Sequence, residues 1–597
     1  MNNHRNKVWI LTFEYKGIAK VGGLGEVPAN QAVNLKDKYD FRVFIPSHGQ
    51  LARIQGDHEV NKIPIECAGE LQLKGNDESE IIEGLYEIGF YQFNLNGIDI
   101  ILLKGENEFT SRYLDDRSVY NPDTFETKLA LYSMGMRCYL QILIDKNTDK
   151  LPEIIHLHDY HAVIPFISIK QELFKNDIDI PSVITIHLLT WPRYPLDFIR
   201  SCGIDNTPIK IRCKDGLRSM DIEEIFELCQ KTQSKKPEKP PTLEKIGAII
   251  SDLVLSVSES YLKSDIIPNL GKELIEFKSD FVWNGCDWDY YDMRSKVLDK
   301  LGKDIMEYID LTHEKEITRE QMKKFLLIHK IGNLDQSPLI NSEKILATIN
   351  QISNGNPFVK NGRIKAFENS GPLALMTGRL SKQKGFGLIL KSIPDIIKKI
   401  PNAKFLFLIL PTEYSIDEIK EYAKYVKEYP ENLRIIFGVA ADIFDLAHLS
   451  ADVYCAVSRW EPFGIIALEA MASKLPIIAT KVGGLQETVI DIRNNPDKGT
   501  GLLIDKDEES QLIKAIVDML QLSIINRESR EKDRSYLNDI EIITDESIKE
   551  IVKNDPEVYS KIKKNCYLRV EENFRWEQVV QKLGNLYEKI KRIYKNQ

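Results

Sequence analysis

The feature that most constrains the fold is a regular alternation of short apolar runs, rich in β-branched residues, with longer helical stretches. In the first half these runs are Val8–Phe13, Phe41–Ile45, Ile98–Leu103, Ile154–Leu157, Ser182–Ile186 and Leu253–Val257. The second half repeats the pattern with Leu373–Thr377, Lys404–Leu410, Leu433–Phe437, Val453–Val457, Ile477–Ala479 and Gly501–Ile504. Strands that alternate with helices form parallel sheets with helical crossovers. The sequence therefore predicts an α/β fold with two doubly wound, Rossmann-like domains in series.

The length of the chain and its last helical segment predict how these sheets divide into domains. A chain of 597 residues exceeds the roughly 250 to 300 residues that one hydrophobic core supports. We expect an N-terminal domain over residues 1–288 and a C-terminal domain over residues 289–575. An amphipathic terminal helix is predicted within residues 576–597, packed back on the N-terminal domain. Ligands of such sheets bind beyond the carboxyl ends of the strands, so we expect the two domains to face a cleft that holds a substrate.

Composition and charge exclude several classes of protein. With 43% hydrophobic and 28% charged residues, the chain resembles a globular protein, and no apolar run approaches the roughly 20 residues that span a bilayer. A net charge of −9 is unsuited to nucleic acid, whose phosphates need a basic surface. Scattered cysteines without a C-x-x-C pair indicate neither a disulfide framework nor a thiolate zinc site, and no targeting segment is predicted. We expect a cytoplasmic protein without membrane or nucleic-acid partners, and leave its oligomeric state open.

Two stretches interrupt the alternation of strands and helices. Residues 205–245 include the lysine- and proline-rich run Lys235–Pro241, and residues 525–565 mix both charges densely. Such stretches are typical of surface insertions rather than of sheet elements. They are predicted to be decorations of unassigned role.

A glycine-bearing segment, Lys20-Val21-Gly22-Gly23-Leu24, follows the first strand and precedes a helix expected to begin near Glu26. Glycines let backbone N–H groups approach an anion closely, and the helix start and Lys20 add positive charge. A diphosphate is the ligand that this chemistry favours. The alternative is a tight turn with a solvated lysine. The segment is not G-x-G-x-x-G, so the nicotinamide fingerprint is absent here.

Cations follow the first strand of the second half, in the segment Arg379–Gly385. Arginine binds phosphate oxygens with a bidentate fork, whereas Lys384 would act as a point charge. Both side chains would neutralise a departing diphosphate. A surface cluster that faces water is the alternative interpretation.

Two glutamates and a second pair of glycines follow later strands. Glu461 comes four residues after the predicted strand Val453–Val457, and Glu469 lies eight residues further, in the expected helix. These carboxylates could accept hydrogen bonds from sugar and ribose hydroxyls, although solvent-exposed glutamates would give the same spacing. The segment Val482–Glu487, with Gly483 and Gly484, could line the same phosphate site.

Three histidines within six residues, His156, His158 and His161, invite a metal interpretation. We reject it, because no acidic or cysteine partner is spaced to complete a zinc site. His161 is instead predicted to hydrogen-bond a sugar hydroxyl at the strand end. The other candidates for sugar contact are His187, Trp191 and Tyr194, for which buried packing remains an alternative.

In chain order, these segments resemble the glycogen and starch synthases, a family of retaining glycosyltransferases with two Rossmann-like domains (GT-B type). The similarity extends from residue 8 to about residue 510 and includes Phe574-Arg575-Trp576. The segments that carry it are Lys20–Leu24, His158–His161, Thr185–His187, Asn284–Asp287, Arg379–Gly385, Glu461–Gly464 and Val482–Leu485.

The resemblance implies transfer of glucose from ADP-glucose and/or UDP-glucose to the non-reducing 4-hydroxyl of an α-1,4-glucan (glycogen), with retention and without a metal ion or other cofactor. The implied catalytic residues are Glu461, which would hold the donor glucose, His161 at the reacting sugar, and the diphosphate ligands Arg379 and Lys384. Electrostatic stabilisation of the departing diphosphate would be the largest catalytic term. The residues implied to bind the donor are Lys20, Gly22, Gly23, Glu26, Arg379, Lys384, Glu461, Gly464, Glu469, Gly483, Gly484 and Leu485.

Departures from the family pattern leave several questions open. Tyr160, Phe463 and Val482 replace the family's usual tryptophan, cysteine and threonine, and they leave the reaction class unchanged. No tyrosine stands near Gly438–Ala440 to stack on an adenine, so the donor base is open. The acidic residue that bacterial members place before an Arg-Phe-Ala segment is unassigned among Asp123, Thr124 and Glu126.

Other functions remain as alternatives to a glycogen synthase. A transferase of the same fold could make a disaccharide or another glycoconjugate, and a catalytically silent glucan-binding protein could share the scaffold. The diphosphate-binding residues count against the silent protein. A dehydrogenase is a minor alternative, disfavoured by the missing glycine fingerprint.

Overall fold

A computed structural model describes residues 5–74, 81–233, 238–310, 317–362, 364–530 and 536–595 of the chain. These residues form two compact units, which we treat separately. Unit 1 comprises residues 1–284 together with 576–597, and unit 2 comprises residues 285–575. The division therefore falls after Asn284, slightly earlier than the predicted boundary after residue 288.

Unit 1 is built on a largely parallel sheet. The strands of unit 1, of which all but β9 and β10 belong to this sheet, are β1 (Asn6–Leu11), β2 (Tyr39–Pro46), β3 (Asn61–Ile63), β4 (Ala68–Lys74), β5 (Ile81–Leu95), β6 (Ile98–Gly105), β7 (Ile154–His158), β8 (Ser182–Ile186), β9 (Ile209–Cys213), β10 (Gly216–Met220), β11 (Leu253–Ser256) and β12 (Ser279–Phe281). The order across the sheet is β12-β11-β8-β7-β1-β2-β6-β5-β3, with β4 paired to β5. Pairing is parallel from β12 to β6 and antiparallel at β5.

The central strands of unit 1 read as continuous apolar runs because helices cover both faces of a parallel sheet. Every residue of β7 and β8 is buried, whereas the peripheral strand β5 alternates in burial over its first half. The helices are α1 (Glu26–Leu35), α2 (Leu51–Asp57), α3 (Glu108–Leu114), α4 (Pro122–Lys146), α5 (Val163–Lys175), α6 (Leu196–Ser201), α7 (Ile222–Lys231), α8 (Leu243–Ile250), α9 (Glu259–Tyr261), α10 (Ile267–Leu270) and α11 (Lys272–Ile275). Helix α1 begins at Glu26, as predicted.

Unit 2 begins and ends with helices around a fully parallel sheet. Its helices are α12 (Tyr290–Ile309), α13 (Arg319–Ile328), α14 (Glu343–Ser353), α15 (Phe386–Lys399), α16 (Ile416–Glu428), α17 (Phe444–Ser450), α18 (Ile465–Ala472), α19 (Leu485–Thr488), α20 (Glu509–Arg530), α21 (Tyr536–Asp539), α22 (Glu546–Asn554) and α23 (Val558–Asn573). Its strands are β13 (Leu373–Arg379), β14 (Lys404–Leu410), β15 (Leu433–Phe437), β16 (Val453–Ala456), β17 (Ile477–Thr480) and β18 (Gly501–Ile504). All six strand segments predicted in the second half are present among the described residues.

The strand orders place the candidate segments. In unit 2 the order is β15-β14-β13-β16-β17-β18, which is the Rossmann order 3-2-1-4-5-6. The order reverses between β13 and β16, and ligands of such sheets bind at that reversal, beyond the carboxyl ends of the strands. The corresponding reversal in unit 1 lies between β1 and β7. The segment after each of these four strands carries one of the predicted motifs.

The last helix, α24 (Trp576–Lys595), belongs to unit 1. It packs against α1, and the hydroxyl of Tyr39 donates to the carbonyl oxygen of Gly584 at 3.1 Å. The hydroxyl of Tyr587 lies 2.6 Å from Nδ1 of the buried His156. Residues from the two ends of the sequence therefore share one core.

The two interrupting stretches are not merely surface decorations, which corrects the prediction. Within 205–245, β9 and β10 form a separate two-stranded sheet, and β9 packs on α5 and α8 with Ile209 and Ile211 buried. Within 525–565, Ile548 and Ile562 are buried in unit 2. Apolar side chains of both stretches therefore contribute to the cores, and in the first stretch the charged side chains of Glu244 and Lys245 are buried as well. Residues 235–237 of Lys235–Pro241 and residues 531–535 lie outside the described residues.

No helix within the described ranges is long and apolar enough to cross a membrane.

Candidate active site

The glycine-bearing segment of unit 1 follows β1 and leads into α1. Lys20 is half-exposed, and its Nζ lies 2.5 Å from Oε1 of Glu26, while Nζ of Lys16 lies 3.0 Å from Oε2. Burial opposes the ionised form of Glu26, but the hydrogen bonds from Lys20 and Lys16 hold the pKa of Glu26 below its ordinary value. The structure thus brings together two of the predicted donor-binding residues as an ion pair.

Glu14 is a functional candidate that sequence reasoning missed. Its buried carboxylate accepts hydrogen bonds from the backbone N–H groups of Val21 and Gly22, at 2.6 and 2.9 Å. The hydroxyl of Tyr120 donates to the other oxygen at 2.5 Å. The Gly22 N–H, expected to face a diphosphate, therefore already has an anionic partner. Glu14 fixes the course of the glycine-bearing segment.

The four histidines in or just beyond β7 and β8, His156, His158, His161 and His187, are buried. His156 and His158 share one face of β7, with ring centroids 4.3 Å apart, and Nδ1 of His158 lies 2.9 Å from Nε2 of His187. Burial lowers the pKa of His156, His161 and His187 to about 3. Neutral imidazoles can exchange single hydrogen bonds with hydroxyl groups, which suits contact with a sugar.

His161 lies at the end of β7, beside the reversal of strand order. Its ring stacks on Phe13 at 5.1 Å between centroids and also contacts Tyr120 and Tyr160. Its Nδ1 atom is buried and has no hydrogen-bond partner in the part of the chain that the structure describes. A buried polar atom without a partner is unusual and calls for a ligand or a water molecule.

The two predicted aromatic platforms differ from each other. Tyr194 is buried and its ring stacks on Phe198 with centroids 4.4 Å apart. It is a core residue, so its proposed contact with a sugar ring is wrong, because its face is covered by another ring. Trp191 is instead 42% exposed.

In unit 2, the cationic segment after β13 meets Glu461 after β16. Nζ of Lys384 lies 2.6 Å from Oε2 of Glu461, and the Ser458 hydroxyl donates to the same oxygen at 3.3 Å. Both partners of this ion pair are largely buried. Arg379, the last residue of β13, is exposed and forms no ion pair with any residue that the structure describes. The site therefore offers one uncompensated guanidinium beside one neutralised lysine.

Glycines bring the segments of unit 2 close together. Gly385 has φ of +77°, and a Cβ there would overlap the carbonyl oxygen of Val457 at the end of β16. Gly483 has φ of +44°, and a Cβ there would overlap the carbonyl oxygen of Glu461. The N–H of Gly484 donates to the carbonyl oxygens of Glu461 and Pro462. The paired glycines are thus required for backbone contact with the Glu461 segment.

Two further candidates lie on the segment after β16. Gly464 has φ of +93°, and a Cβ there would crowd the side chain of Leu485, so the two predicted residues are in contact. Glu469 lies in the short helix α18 and is half-buried. In the described ranges, no three His, Cys, Asp or Glu side chains are grouped so as to hold a metal ion.

Comparison with known proteins assigns this arrangement to a family. A family model described as the starch synthase catalytic domain matches residues 7–276, and a model of group 1 glycosyl transferases matches residues 360–536. A glycogen synthase of Geotalea daltonii is 24% identical over 524 residues, which cover 85% of this chain and 90% of that protein. The chain belongs to the glycogen and starch synthase family. A probable glycogen synthase of Methanocaldococcus jannaschii is 33% identical over 138 residues, or 22% of this chain and 26% of that protein.

A solved structure shows the fold of the family. The catalytic domain of starch synthase IV from Arabidopsis thaliana, bound to ADP and acarbose, superimposes with a TM-score of 0.64 at 16% identity, over 98% of this chain and 99% of that one. The predicted GT-B type of α/β fold is confirmed.

In this member of the glycogen and starch synthase family, sequence reasoning found the side chains that follow the four strands at the reversals. It missed the buried carboxylates that hold the segments in place. Besides Glu14, these are Asp159, which accepts from the N–H of His187 at 2.6 Å, and Glu244, which accepts from Thr190 and Trp191. An acidic residue just beyond β1 was a visible signal for Glu14, whereas nothing in the sequence ties Glu244 to Trp191.

Proposed function

We propose that this glycosyltransferase is a glycogen synthase, which transfers glucose with retention from ADP-glucose and/or UDP-glucose to the non-reducing 4-hydroxyl of an α-1,4-glucan. The observation that carries the proposal is the set of charged groups at the strand reversals of two Rossmann-like units. Family membership and the glycogen synthases that match most of the chain support the same reaction.

The departing nucleoside diphosphate carries the negative charge that develops during the transfer, so cations at that group would lower the barrier most. Arg379 is exposed at the end of β13 with its fork of N–H donors uncompensated, and Lys384 lies in the next turn. We assign both to the diphosphate, and Lys20 of unit 1 to the same reaction. These side chains would supply the stabilisation without a metal ion.

Glu461 would hold the donor glucose. Its carboxylate is held in place by Lys384 and Ser458, so it can accept hydrogen bonds from sugar hydroxyls without reorganising. The ion pair keeps the Lys384 ammonium next to the Glu461 carboxylate, so a donor sugar bound by Glu461 would have a cation beside the bond that breaks. His161, with its unsatisfied Nδ1, would bond a hydroxyl of the reacting sugar.

The test uses purified protein with labelled ADP-glucose or UDP-glucose, glycogen and a metal chelator. We expect label to enter lengthened glucan from at least one donor. The variants Arg379→Ala and Glu461→Gln should each lose about a hundredfold or more in kcat/KM, the size seen when one stabilising group is removed. A matched control is Lys398→Ala, which removes an exposed cation that pairs with Asp395 on α15.

Undiminished activity of Glu461→Gln would contradict the assignment. Sizing of the product distinguishes the other acceptors, because a disaccharide or glycoconjugate synthase would leave the glycogen unlabelled. Binding of glycogen without binding of any nucleotide would identify a silent glucan-binding protein.

A further inference from the structure

Trp191 combines exposure with an unusual backbone conformation. It is 42% exposed and has φ of +65°, in the left-handed region where the Cβ of a bulky residue is crowded. Its indole makes no aromatic or cation–π contact with any residue that the structure describes. Strained residues persist only where the surroundings hold them, and they concentrate at ligand-binding sites.

Glu244 is the group that holds this conformation. Its Oε1 atom accepts from the backbone N–H groups of both Thr190 and Trp191 at 2.9 Å. The side chain is fully buried in the first turn of α8, and the Thr242 hydroxyl caps that helix. Burial raises the pKa of Glu244, although the two N–H groups oppose the rise.

The surrounding backbone restricts the same segment further. The N–H of Leu243 donates to the carbonyl oxygen of Pro192 at 3.0 Å, and the backbones of Arg193 and Thr242 form an isolated antiparallel β-bridge. The Thr190 hydroxyl also lies 3.3 Å from Oε1 of Glu244, to which it donates. Glu244 therefore holds residues 190 and 191 through two backbone N–H groups and one hydroxyl.

The chemistry of residues 187–192 indicates the ligand. The segment His187-Leu-Leu-Thr-Trp-Pro192 contains no acidic side chain, lysine or arginine, and burial keeps its histidine neutral. A neutral, exposed aromatic face beyond the carboxyl end of β8 suits the C–H face of an uncharged sugar ring better than a diphosphate. An aromatic side chain with two rotatable bonds also presents this area with little loss of entropy.

We propose that Glu244 is a positioning residue that fixes Trp191 as a stacking platform for a glucose ring of the acceptor glucan. This inference rests on the proposed function. It gives the interrupting stretch 205–245 a role, since the end of that stretch supplies Glu244. Trp191 would act on acceptor binding and leave the donor to other residues.

The experiment measures acceptor and donor kinetics separately in the full-length protein. Trp191→Ala should raise the KM for maltoheptaose and glycogen about tenfold, the effect of losing one aromatic stacking contact. Trp191→Phe should recover most of this loss. Glu244→Gln should also raise the KM for the acceptor, without changing the KM for the donor. The KM for nucleotide-glucose should stay unchanged. Phe277→Ala, which removes another exposed aromatic side chain of unit 1, is the control.

A binding measurement keeps the inference independent of turnover. Maltoheptaose should change the tryptophan fluorescence of the wild-type protein and leave that of Trp191→Phe unchanged. The proposal would be overturned if maltoheptaose changed the fluorescence of Trp191→Phe as much as that of the wild-type protein. An acceptor KM unaffected by Trp191→Ala would also overturn it. A dimer dissociated by Trp191→Ala in sedimentation would likewise overturn it, by making the indole a contact between copies. If no transfer occurs at all, the fluorescence titration still decides.

Discussion

The two units hold their candidate segments by different means. In unit 1, buried carboxylates accept backbone N–H groups, as Glu14 does from Val21 and Gly22 and Glu244 does from Thr190 and Trp191. In unit 2, the segments after β13, β16 and β17 touch backbone to backbone, at glycines where any Cβ would overlap a neighbouring carbonyl oxygen. Contacts made by a carboxylate should therefore be weakened by a change of its charge or of the pH, whereas the backbone contacts should be weakened by any added side-chain volume at the glycines.

The largest expected effect is the introduction of a Cβ in unit 2. Gly483→Ala should reduce kcat/KM by about a hundredfold or more, because the methyl group would displace the Glu461 segment, and misplacement of about 1 Å can have that effect. The free energy of unfolding should fall by about 1 to 3 kcal/mol, from the positive φ and the overlap. Steady-state kinetics and urea unfolding measure the two quantities.

A glycine without neighbours provides the control for this prediction. Gly355 has no heavy atom within 4 Å of a built Cβ, so Gly355→Ala should leave kcat/KM unchanged. Wild-type activity in Gly483→Ala would show that the backbone contact is dispensable. The proposed difference between the two units in how they hold their segments would then be wrong.

Acidic pH should affect unit 1 more than unit 2. Burial lowers the pKa of His48, His156, His161 and His187 to about 3, whereas unfolded histidine titrates near 6.5. Below pH 6.5 the unfolded state therefore binds protons that the folded state does not, and stability falls as the pH falls toward 3. Each such histidine contributes up to about 1.4 kcal/mol per pH unit.

Hydrogen exchange at pH 7, 6 and 5, corrected for the intrinsic rate, measures this effect for each unit. Protection should fall more steeply in unit 1. The raised pKa values of Asp159, Glu244 and Asp115 act in the opposite direction, because a carboxyl that protonates more readily when folded gains stability as the pH falls, but the four histidines outnumber these carboxyls. An equal loss of protection in both units would contradict the prediction.

The smallest expected effect is the loss of one side-chain anchor. Glu14→Gln should lower kcat/KM about tenfold, because a neutral oxygen accepts the two N–H groups less strongly than a carboxylate does. Donor KM and kcat, measured separately, show whether binding or transfer suffers. Glu106→Gln is the matched control, since Glu106 also accepts from a tyrosine hydroxyl but pairs with Lys62 at the surface. A larger effect for Glu106→Gln than for Glu14→Gln would contradict the anchoring role.

Much of the fold followed from local patterns in the sequence. Central parallel strands are buried on both faces and therefore read as uninterrupted apolar runs, which is why every strand segment predicted for the two sheets is present in the described residues. The antiparallel strands β3, β4 and β5 were not predicted, because peripheral strands with one exposed face give weaker patterns. Cations and glycines directly after strands located the candidate segments for the same reason, since strand ends mark ligand sites.

Partner choice could not be predicted, because it depends on contacts distant in sequence. Lys384 and Glu461 were assigned separate ligands, yet the structure pairs them across 77 positions. Tyr194 was considered a platform, but its local sequence cannot show that Phe198 covers its ring. Glu244 stands 54 positions from Thr190, and only the packing of α8 brings its carboxylate to that segment.

Because α24 follows unit 2 in the chain but packs in unit 1, unit 1 cannot finish folding in the order in which its residues are synthesised. A nascent chain leaving the ribosome exposes every strand of unit 1 before unit 2 is translated, yet the helix that meets Tyr39 and His156 is made only after unit 2. Until then, an apolar flank of the first sheet stays uncovered, a target for chaperones. The core of unit 1 is therefore completed only after all of unit 2 has been translated.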